Sequence, residues 1–289
     1  MDWISCFPKP LQREWMDADF SKTTDIRLFS GGHCVVSGAG KELVSAYMAD
    51  AEAVYDTAQA LSRRMLRLSP ATTGQGYITL QGGHRMGLCG TVTREAEGLL
   101  LHGIGSLCLR LARDVPGCGQ TLACAARKGG GILLAGPPGS GKTTMLRDAV
   151  RLLSNGGIAV GLADERGEVA ACLEGVPQRD VGERTHVADG AEKAEGLRWL
   201  LRAAAPQILA TDELFGEDDC AAVLEAASCG VPVIATIHAG SMVQLRRRTG
   251  VMRLLKEGAV SQVMFLKAYH IIGSMDAGET LEAVCSFPS

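Results

Sequence analysis

The sequence predicts an α/β fold in two parts, a smaller N-terminal α+β domain at residues 1–125 and a larger α/β domain at residues 126–289. Three observations predict this. A glycine-rich loop at residues 136–144 has the spacing of a phosphate-binding loop. After it, short apolar runs alternate with helical segments, as a parallel sheet requires. Before it, strands and a helix follow one another without that alternation, and Gly129-Gly130 is the best linker candidate.

The N-terminal part contains two predicted hairpins and one long predicted helix. The first hairpin turns at Ser30-Gly31-Gly32, between two short apolar strands. From Leu43 to Leu68 the apolar residues recur at helical spacing, which predicts a helix. Its inward-facing candidates are Ala46, Met48, Val54, Ala58, Leu61 and Met65. The predicted strands are residues 25–29, 34–36, 76–80, 85–89 and 106–112.

The C-terminal part alternates predicted strands with predicted helices. Four of its strands are short apolar runs, which is typical of a sheet covered on both faces. Residues that carry chemistry should then lie at the carboxyl ends of these strands. The predicted strands are residues 131–135, 158–163, 207–211, 232–237 and 262–266, and the predicted helices are residues 142–154, 191–204 and 217–228.

Composition limits the class of protein. The chain has 289 residues, 46% hydrophobic and 4% aromatic, which fits a compact α/β protein. Its net charge of −3 gives no global basic field, which argues against nucleic acid as a partner. The ten cysteines show no C-x-x-C spacing, so we interpret them as small buried side chains in a reducing cytosol. The chain shows no signal-peptide pattern and no apolar run of membrane-spanning length, so we expect a cytoplasmic protein.

The glycine-rich loop predicts binding of a nucleoside triphosphate, ATP, together with Mg²⁺. Glycines allow a tight turn that points successive N–H groups at phosphates, and the following helix adds its positive amino end. Lys142 is placed to reach the β- and γ-phosphate oxygens, and the hydroxyl of Thr143 to ligate Mg²⁺. The predicted loop comprises Gly136, Pro137, Pro138, Gly139, Ser140, Gly141, Lys142, Thr143 and Thr144.

An acidic pair, Asp212-Glu213, follows the predicted strand at residues 207–211. In phosphate-loop ATPases an aspartate at this place holds the Mg²⁺ shell, and a neighbouring glutamate polarises the attacking water. An acidic pair that caps the next helix is the structural alternative.

A second acidic segment, Asp164-Glu165-Arg166-Gly167-Glu168, follows the strand at residues 158–163. Three carboxylates at one strand end repel each other unless a cation or a water-activating role compensates. Glu165 and Glu168 are therefore candidate catalytic residues, and a solvated acidic turn is the alternative.

One histidine and several arginines complete the candidate site. His238 follows the strand at residues 232–237, where it could sense the γ-phosphate, although an isolated histidine is usually structural. Arg179 and Arg184, in a polar loop, could stabilise the transition state of phosphoryl transfer in cis or from a neighbouring subunit, and Arg184 is included in the predicted site. We interpret Arg246-Arg247-Arg248 as a solvated helix face, with a partner interface or anionic lipid headgroups as the alternative.

The order of these motifs resembles that of the secretion ATPases that power type II and type IV secretion and pilus assembly. Within that group the chain resembles the stage III sporulation protein AA family of endospore-forming bacteria. The segments that carry the resemblance are Ile26-Arg27-Leu28, 82–87, 136–144, 164–170, 180–196 and Asp212-Glu213.

The resemblance implies a RecA-like P-loop ATPase domain in a hexameric motor. It also implies a position at the cytoplasmic face of a membrane, on the mother-cell side, beneath a membrane-embedded channel between mother cell and forespore. Two positions depart from the family pattern: Gly167 stands where we expect serine, and residues 214–217 lack the expected arginine. The departures leave open which arginine stabilises the transition state of phosphoryl transfer.

Other functions remain as alternatives. A general AAA+ ATPase would need a helical lid, and only 51 residues follow His238. A transporter-type ATPase would need a signature motif that the chain lacks, and a small-molecule kinase rarely needs three such strand-end motifs. Outside the enzymes, the alternative is a nucleotide-binding assembly scaffold with little hydrolysis. A nucleic-acid motor is disfavoured by the charge and by the few aromatic residues.

Overall fold

The computed structural model describes residues 3–63, 77–95 and 98–278. The chain divides into two compact units, Met1–Arg113 and Asp114–Ser289. The predicted domain boundary after residue 125 lies within a helix of the second unit, Gln120–Ala126, whose apolar side chains belong to the core of that unit. The predicted linker Gly129-Gly130 likewise lies inside the second unit. Among the described residues no helix is long and apolar enough to cross a membrane.

Within the described residues, the first unit is a six-stranded antiparallel sheet with two α-helices, in the strand order β3-β2-β1-β6-β5-β4. Its fully buried core includes Leu11, Ile26, Leu28, Met86, Leu107 and Leu109. The strands are β1 (Thr23–Phe29), β2 (Gly32–Gly38), β3 (Lys41–Ala49), β4 (Tyr77–Thr79), β5 (Arg85–Glu95) and β6 (Gly98–Arg110), and the helices are α1 (Lys9–Glu14) and α2 (Ala51–Leu61).

The helix predicted from Leu43 to Leu68 is wrong over its first part. Residues 43–49 belong to β3, where Met48 is 58% exposed, and the helix begins only after Asp50. The carboxylate of Asp50 accepts a hydrogen bond from the Ala53 N–H (2.8 Å) and so caps α2. Of the predicted inward-facing residues, Val54, Ala58 and Leu61 are buried. Residues 64–68, with Met65, and residue 76 of the second predicted hairpin lie outside the described residues.

In the part of the chain that the structure describes, the second unit is a seven-stranded sheet in the order β13-β12-β7-β11-β10-β8-β9. All neighbouring strands are parallel except β12 and β13, which form an antiparallel hairpin. The strands are β7 (Ile132–Gly136), β8 (Val160–Asp164), β9 (Thr185–Asp189), β10 (Ile208–Thr211), β11 (Val233–His238), β12 (Gln262–Lys267) and β13 (His270–Asp276). The helices are α3 (Gln120–Ala126), α4 (Lys142–Asn155), α5 (Lys193–Ala203), α6 (Glu217–Ser228), α7 (Met242–Arg246) and α8 (Thr249–Lys256).

Apolar side chains cover both faces of the second sheet. Strands β7, β8 and β10 are buried at every residue, as their continuous apolar sequences predict. One face packs on α5, α6 and α8, and the other face packs on α3 and α4. The five strands and three helices predicted for this region are confirmed, with ends that differ by at most two residues. Because their carboxyl ends meet at one edge, the strands bring distant polar residues together there.

Candidate active site

The glycine-rich loop connects β7 to α4 at the carboxyl edge of the second sheet. Gly139 and Gly141 have φ values of 72° and 96°, in the region that only glycine adopts freely. A Cβ atom at Gly141 would also clash with the ring of Tyr269. The loop therefore needs glycine at position 141 for two independent reasons, its backbone conformation and the close approach of an aromatic ring.

Lys142 is buried at the first turn of α4. Its ammonium group donates hydrogen bonds to the carbonyl oxygens of Gly136 (2.9 Å) and Pro137 (3.0 Å) and lies 3.0 Å from Nδ1 of His238. Burial lowers the pKa of Lys142, and the nearby carboxylates of Asp212 and Glu213 oppose that shift. All three direct partners are uncharged acceptors, so phosphate oxygens would be stronger partners for this buried charge.

Asp212 collects hydrogen bonds from three parts of the sheet edge. Its Oδ2 accepts from the hydroxyl of Thr143 at 2.6 Å. Its Oδ1 accepts from the hydroxyl of Thr236 and from the N–H of Glu213 (3.1 Å). The hydroxyl of Thr236 in turn accepts from the same N–H at 2.8 Å. The carboxylate thus fixes the loop helix, β10 and β11 relative to one another.

The pair formed by Thr143 and Asp212 fits Mg²⁺. Both side chains present hard oxygen donors, and they already lie within hydrogen-bonding distance beside the phosphate-binding loop. Magnesium in nucleotide sites usually takes one or two protein ligands and completes its shell with phosphate oxygens and water. Among the described residues no group of three or more His, Cys, Asp or Glu side chains is placed to hold a metal ion.

Glu213 lies between a histidine and an arginine. Its Oε1 is 3.2 Å from Nε2 of His238, and its Oε2 is 2.7 Å from a guanidinium nitrogen of Arg166. Since the Lys142 ammonium can only donate, Nδ1 of His238 acts as the acceptor and Nε2 carries the proton donated to Glu213. A chain of hydrogen bonds therefore connects Lys142 to Glu213 through the imidazole.

The second acidic segment is organised by its first residue. Asp164 is 2% exposed, and its carboxylate accepts hydrogen bonds from the N–H groups of Glu168 (2.9 Å), Val169 (3.1 Å) and Ala170 (2.8 Å). Burial raises the pKa of Asp164, while these hydrogen bonds lower it. The segment is thus a folded loop around a buried carboxylate, and the alternative of a solvated acidic turn does not describe Asp164.

The two candidate glutamates of this segment have different positions. Glu168 lines the same cavity as the phosphate-binding loop and Glu213. Glu165 forms an ion pair with the buried ammonium of Lys193 (3.2 Å), which also donates to the carbonyl oxygen of Glu213 (2.8 Å). Glu165 therefore supports the backbone of Glu213 through Lys193, whereas Glu168 faces the cavity.

These residues surround a single cavity of about 300 Å³. It is lined by the phosphate-binding loop together with Glu168, Asp212, Glu213, Thr236, His238 and Tyr269. The structure thus brings together the predicted loop, both residues of the acidic pair, Glu168 and His238.

Arg184 lies elsewhere. It directly precedes β9, whose first residue, Thr185, pairs with Val160 at the amino end of β8. Its guanidinium group donates to the carbonyl oxygen of Gly157 (3.2 Å), and its N–H donates to the hydroxyl of Ser154 (2.7 Å). Because the amino ends of parallel strands lie at the edge opposite the cavity, Arg184 does not belong to the site of its own chain. Arg184 is close in sequence to the acidic segment, but that closeness does not indicate at which end of β9 it lies.

Two buried arginines, Arg147 and Arg179, share the carboxylate of Asp114, and Arg147 also binds the acidic loop. Arg147 donates to the carbonyl oxygens of Glu168 and Val169, both at 2.6 Å, and lies 3.4 Å from the carboxylate of Asp114. Arg179, the other arginine considered from the sequence, pairs with the same carboxylate. Burial and the neighbouring charge of Arg179 lower the pKa of Arg147, and Asp114 raises it. Arg179 is thus a structural partner of Asp114, which is the first residue of the second unit.

The last arginine of the predicted basic run also has a structural role. Arg248 donates to the carbonyl oxygens of Leu214 (3.3 Å) and His238 (3.2 Å), so it connects the segment that follows β10 to the last residue of β11. The interpretation of residues 246–248 as a solvated face therefore fails for Arg248. Arg247, by contrast, is exposed.

Sequence reasoning gave no role to several residues around the cavity. Tyr269, Thr236 and Arg166 contact the predicted residues directly, and Lys193 and Arg248 hold their backbone. Thr236 could have been found, because it precedes His238 by two residues on the same strand and so points to the same face. No pattern in the sequence indicates that Tyr269 approaches a loop nearly 130 residues away.

The chain is similar to known proteins over most of its length. A family model described as sporulation stage III, protein AA matches residues 9–277. The chain belongs to this family. Stage III sporulation protein AA of Bacillus subtilis (strain 168) is 33% identical over 263 residues, which cover 88% of this chain and 84% of that protein.

Similarity beyond the sporulation stage III protein AA family extends to pilus ATPases. The type IV pilus assembly ATPase PilB of Pseudomonas aeruginosa is 30% identical over 127 residues, covering 44% of this chain and 21% of PilB. The crystal structure of the pilus retraction motor PilT with bound ADP superposes with a TM-score of 0.61 at 15% identity, covering 88% of this chain and 76% of that chain. The predicted fold class, a RecA-like P-loop domain with an N-terminal α+β domain, is confirmed.

We expect Arg147→Ala to loosen the acidic loop. The change leaves the carbonyl oxygens of Glu168 and Val169 without their charged donor, and a hydrogen bond to a charged group contributes about 1.5–3 kcal/mol. Hydrogen exchange at the amides of Glu168, Val169 and Ala170, monitored by mass spectrometry, should accelerate by about 10²-fold or more.

The matched control is Arg253→Ala, which removes an exposed i,i+4 ion pair with Glu257. Exposed pairs contribute about 0.5 kcal/mol, so exchange in the acidic loop should be unchanged in this variant. Equal protection of the loop in Arg147→Ala and in the wild-type protein would contradict the assignment.

Proposed function

We propose that this chain is a Mg²⁺-dependent ATPase of the secretion-ATPase type. One observation carries the proposal: a single cavity joins a phosphate-binding loop, an oxygen pair suited to Mg²⁺ and a carboxylate, Glu213, held beside that pair. A loop that only bound phosphate would not need the second carboxylate or its histidine and arginine partners.

ATP binding would rest on the loop amides and on Lys142. The amides and the amino end of α4 would hold the β- and γ-phosphates, and the buried ammonium would exchange its carbonyl partners for phosphate oxygens. Thr143 and Asp212 would hold Mg²⁺, which neutralises phosphate charge when it is bound. The short distance between these two side chains means that little rearrangement is needed to present both to one ion.

Glu213 is the proposed catalytic residue for water activation. A carboxylate at this position can accept a proton from the attacking water, and Glu168 faces the same cavity as an assisting carboxylate. His238 is the proposed sensor, because its two ring nitrogens contact Lys142 and Glu213. A phosphate that draws the ammonium away from Nδ1 changes the hydrogen bonding of the imidazole, and thereby the position of Glu213.

The cellular role is proposed from the relatives. The similar proteins are a stage III sporulation protein, a pilus assembly ATPase and a pilus retraction motor. We therefore propose a homo-oligomeric motor, hexameric by analogy, that energises a membrane-embedded channel or secretion component between mother cell and forespore. It would act from the cytoplasmic, mother-cell side of the membrane. The net charge of −3 does not support a nucleic-acid partner.

The central prediction concerns Lys142 and Glu213. Lys142→Ala should abolish nucleotide binding, because it removes the buried positive charge of the loop. Glu213→Gln should bind ATP but hydrolyse it at least about 10²-fold more slowly, since an amide cannot accept the proton. Steady-state phosphate release and equilibrium binding of ATP would measure the two effects separately.

Glu257→Gln, an isosteric change on the exposed surface, serves as the control and should hydrolyse ATP normally. Normal hydrolysis by Glu213→Gln would assign the base to the acidic segment. Tight ATP binding by the wild-type protein without turnover would favour the scaffold function, with the nucleotide as an assembly switch.

The two glutamates of the acidic segment should differ in their effects. Glu168→Gln removes a carboxylate that lines the cavity, and the rate of hydrolysis should fall by about 10²-fold. Glu165→Gln weakens the ion pair with Lys193 outside the cavity lining, so its effect on the rate should be much smaller. A kcat loss in Glu165→Gln equal to that in Glu168→Gln would contradict this division of roles.

The proposed ring predicts that specific activity rises with protein concentration. Subunits that complete one another's sites are active only when assembled, so dilution should reduce the rate per chain. Hydrolysis measured over a concentration series, with light scattering on the same samples, would test this. Constant specific activity in a strictly monomeric sample would exclude the ring, while leaving the ATPase assignment intact.

A further inference from the structure

We propose that Tyr269 forms the nucleoside-binding wall of this site, against which the base of the bound nucleotide stacks. The proposal rests on the proposed function. It assigns a binding residue to the nucleoside, the part of the ligand that the phosphate-binding residues do not contact. It is carried by the strand order, by the contact between the tyrosine ring and the loop, and by the backbone conformation at the tip of a hairpin.

The strand order places Tyr269 and the catalytic carboxylates on opposite sides of the loop. The loop follows β7, and its neighbour β11, with β10 beyond it, leads to His238, Asp212 and Glu213. On the other side of β7 lies β12, whose hairpin turn to β13 carries Tyr269. The terminal phosphate must lie near Glu213 for hydrolysis. The nucleoside, at the other end of the phosphate chain, therefore extends away from that carboxylate, toward the side occupied by Tyr269.

The turn is attached to the loop by its backbone and by the ring. The Tyr269 N–H donates a hydrogen bond to the carbonyl oxygen of Ser140 at 2.9 Å. The ring lies so close to Gly141 that no side chain would fit there. Even so, the residue remains 45% exposed and lines the 300 Å³ cavity. Part of an aromatic ring is thus presented to a cavity whose other described walls are mainly polar.

The backbone conformation at the turn favours glycine or asparagine, yet the chain has an alanine and a tyrosine. Ala268 and Tyr269 have φ values of 48° and 66°, and they form a two-residue turn between the paired Lys267 and His270. Such turns favour Asn-Gly because both central residues need positive φ. Strained non-glycine residues of this kind concentrate at functional sites. A tyrosine in this strained conformation, in a segment of 176 residues (Asp114–Ser289) without another tyrosine, points to a role for its ring.

Stacking of a base on an aromatic ring accounts for such a role. It is tolerant of base identity, because every base has a π face, and its loss typically weakens binding by about tenfold or more. The predicted effect is therefore selective: Tyr269 should contribute to binding of ligands that contain a base, and contribute nothing to binding of the phosphate groups alone.

Binding of Mg²⁺·ADP and of Mg²⁺·pyrophosphate to the full chain, measured by calorimetry, tests this directly. Tyr269→Ala should weaken ADP binding by about tenfold or more and leave pyrophosphate binding unchanged. Tyr269→Phe, which retains the ring, should bind both ligands as the wild-type protein does. Trp199→Ala, which removes a 64% exposed aromatic side chain outside the cavity lining, is the matched control and should have no effect on either ligand.

Equal weakening of ADP and pyrophosphate in Tyr269→Ala would overturn the proposal, because the ring would then act only through the shape of the loop. Unchanged ADP binding would overturn it as well. If the alanine variant does not fold, Tyr269→Leu keeps apolar bulk against Gly141 without a π face, and it should show the same selective loss. As a second readout, KM for ATP should rise in these variants while kcat stays within about twofold.

These measurements distinguish failure of the role proposed for Tyr269 from failure of the proposed function. A wild-type protein that binds neither ADP nor ATP would refute nucleotide binding altogether. A wild-type protein that binds ADP, with an unaffected Tyr269→Ala variant, would refute only the role of Tyr269.

Discussion

The hydrogen bonds accepted by Asp212 are the constraint on which the rest of the site depends. Its two oxygens accept from Thr143 of the loop helix and from Thr236 of β11, and the N–H of Glu213 donates to the same carboxylate. One side chain therefore sets the distances among three sheet elements. Because Lys142 precedes Thr143 and His238 lies two residues after Thr236, the ammonium and the imidazole are placed by the same carboxylate. The site is assembled around this anion.

A second set of charged side chains, of which Asp164 and Arg147 are buried, connects the site to the start of the second unit. Asp164 organises the amides of residues 168–170, and Arg147 holds the carbonyl oxygens of two of the same residues while it pairs with Asp114. The preceding residue, Arg113, donates to the carbonyl oxygens of Phe20 and Thr23 within the first unit. Adjacent residues are thus anchored in different units.

The sequence predicts those parts of the structure that follow from local pattern. Strands β7, β8, β10 and β11 were found because burial on both faces demands continuous apolar residues. The strands that were missed, β3, β9 and β13, are edge strands with few buried side chains, so neither an apolar run nor a clear alternation marks them. The phosphate-binding loop and the acidic pair were recognisable because chemistry fixes their spacing. Contacts between distant segments, such as those of Tyr269 and Arg166, have no such pattern.

Two strained residues on opposite sides of the loop show how the site obtains its geometry. Glu213 has a φ of 48°, and it is held there because Lys193 binds its carbonyl oxygen while Thr236 and Asp212 accept from its N–H. Tyr269 is held by the hydrogen bond that its N–H donates to the carbonyl oxygen of Ser140. Each such conformation costs about 1–3 kcal/mol, so it persists only where the surroundings specify it. That cost is borne during folding, so both side chains are already positioned before any ligand binds. In the proposed ATPase this would serve electrostatic catalysis and ligand recognition.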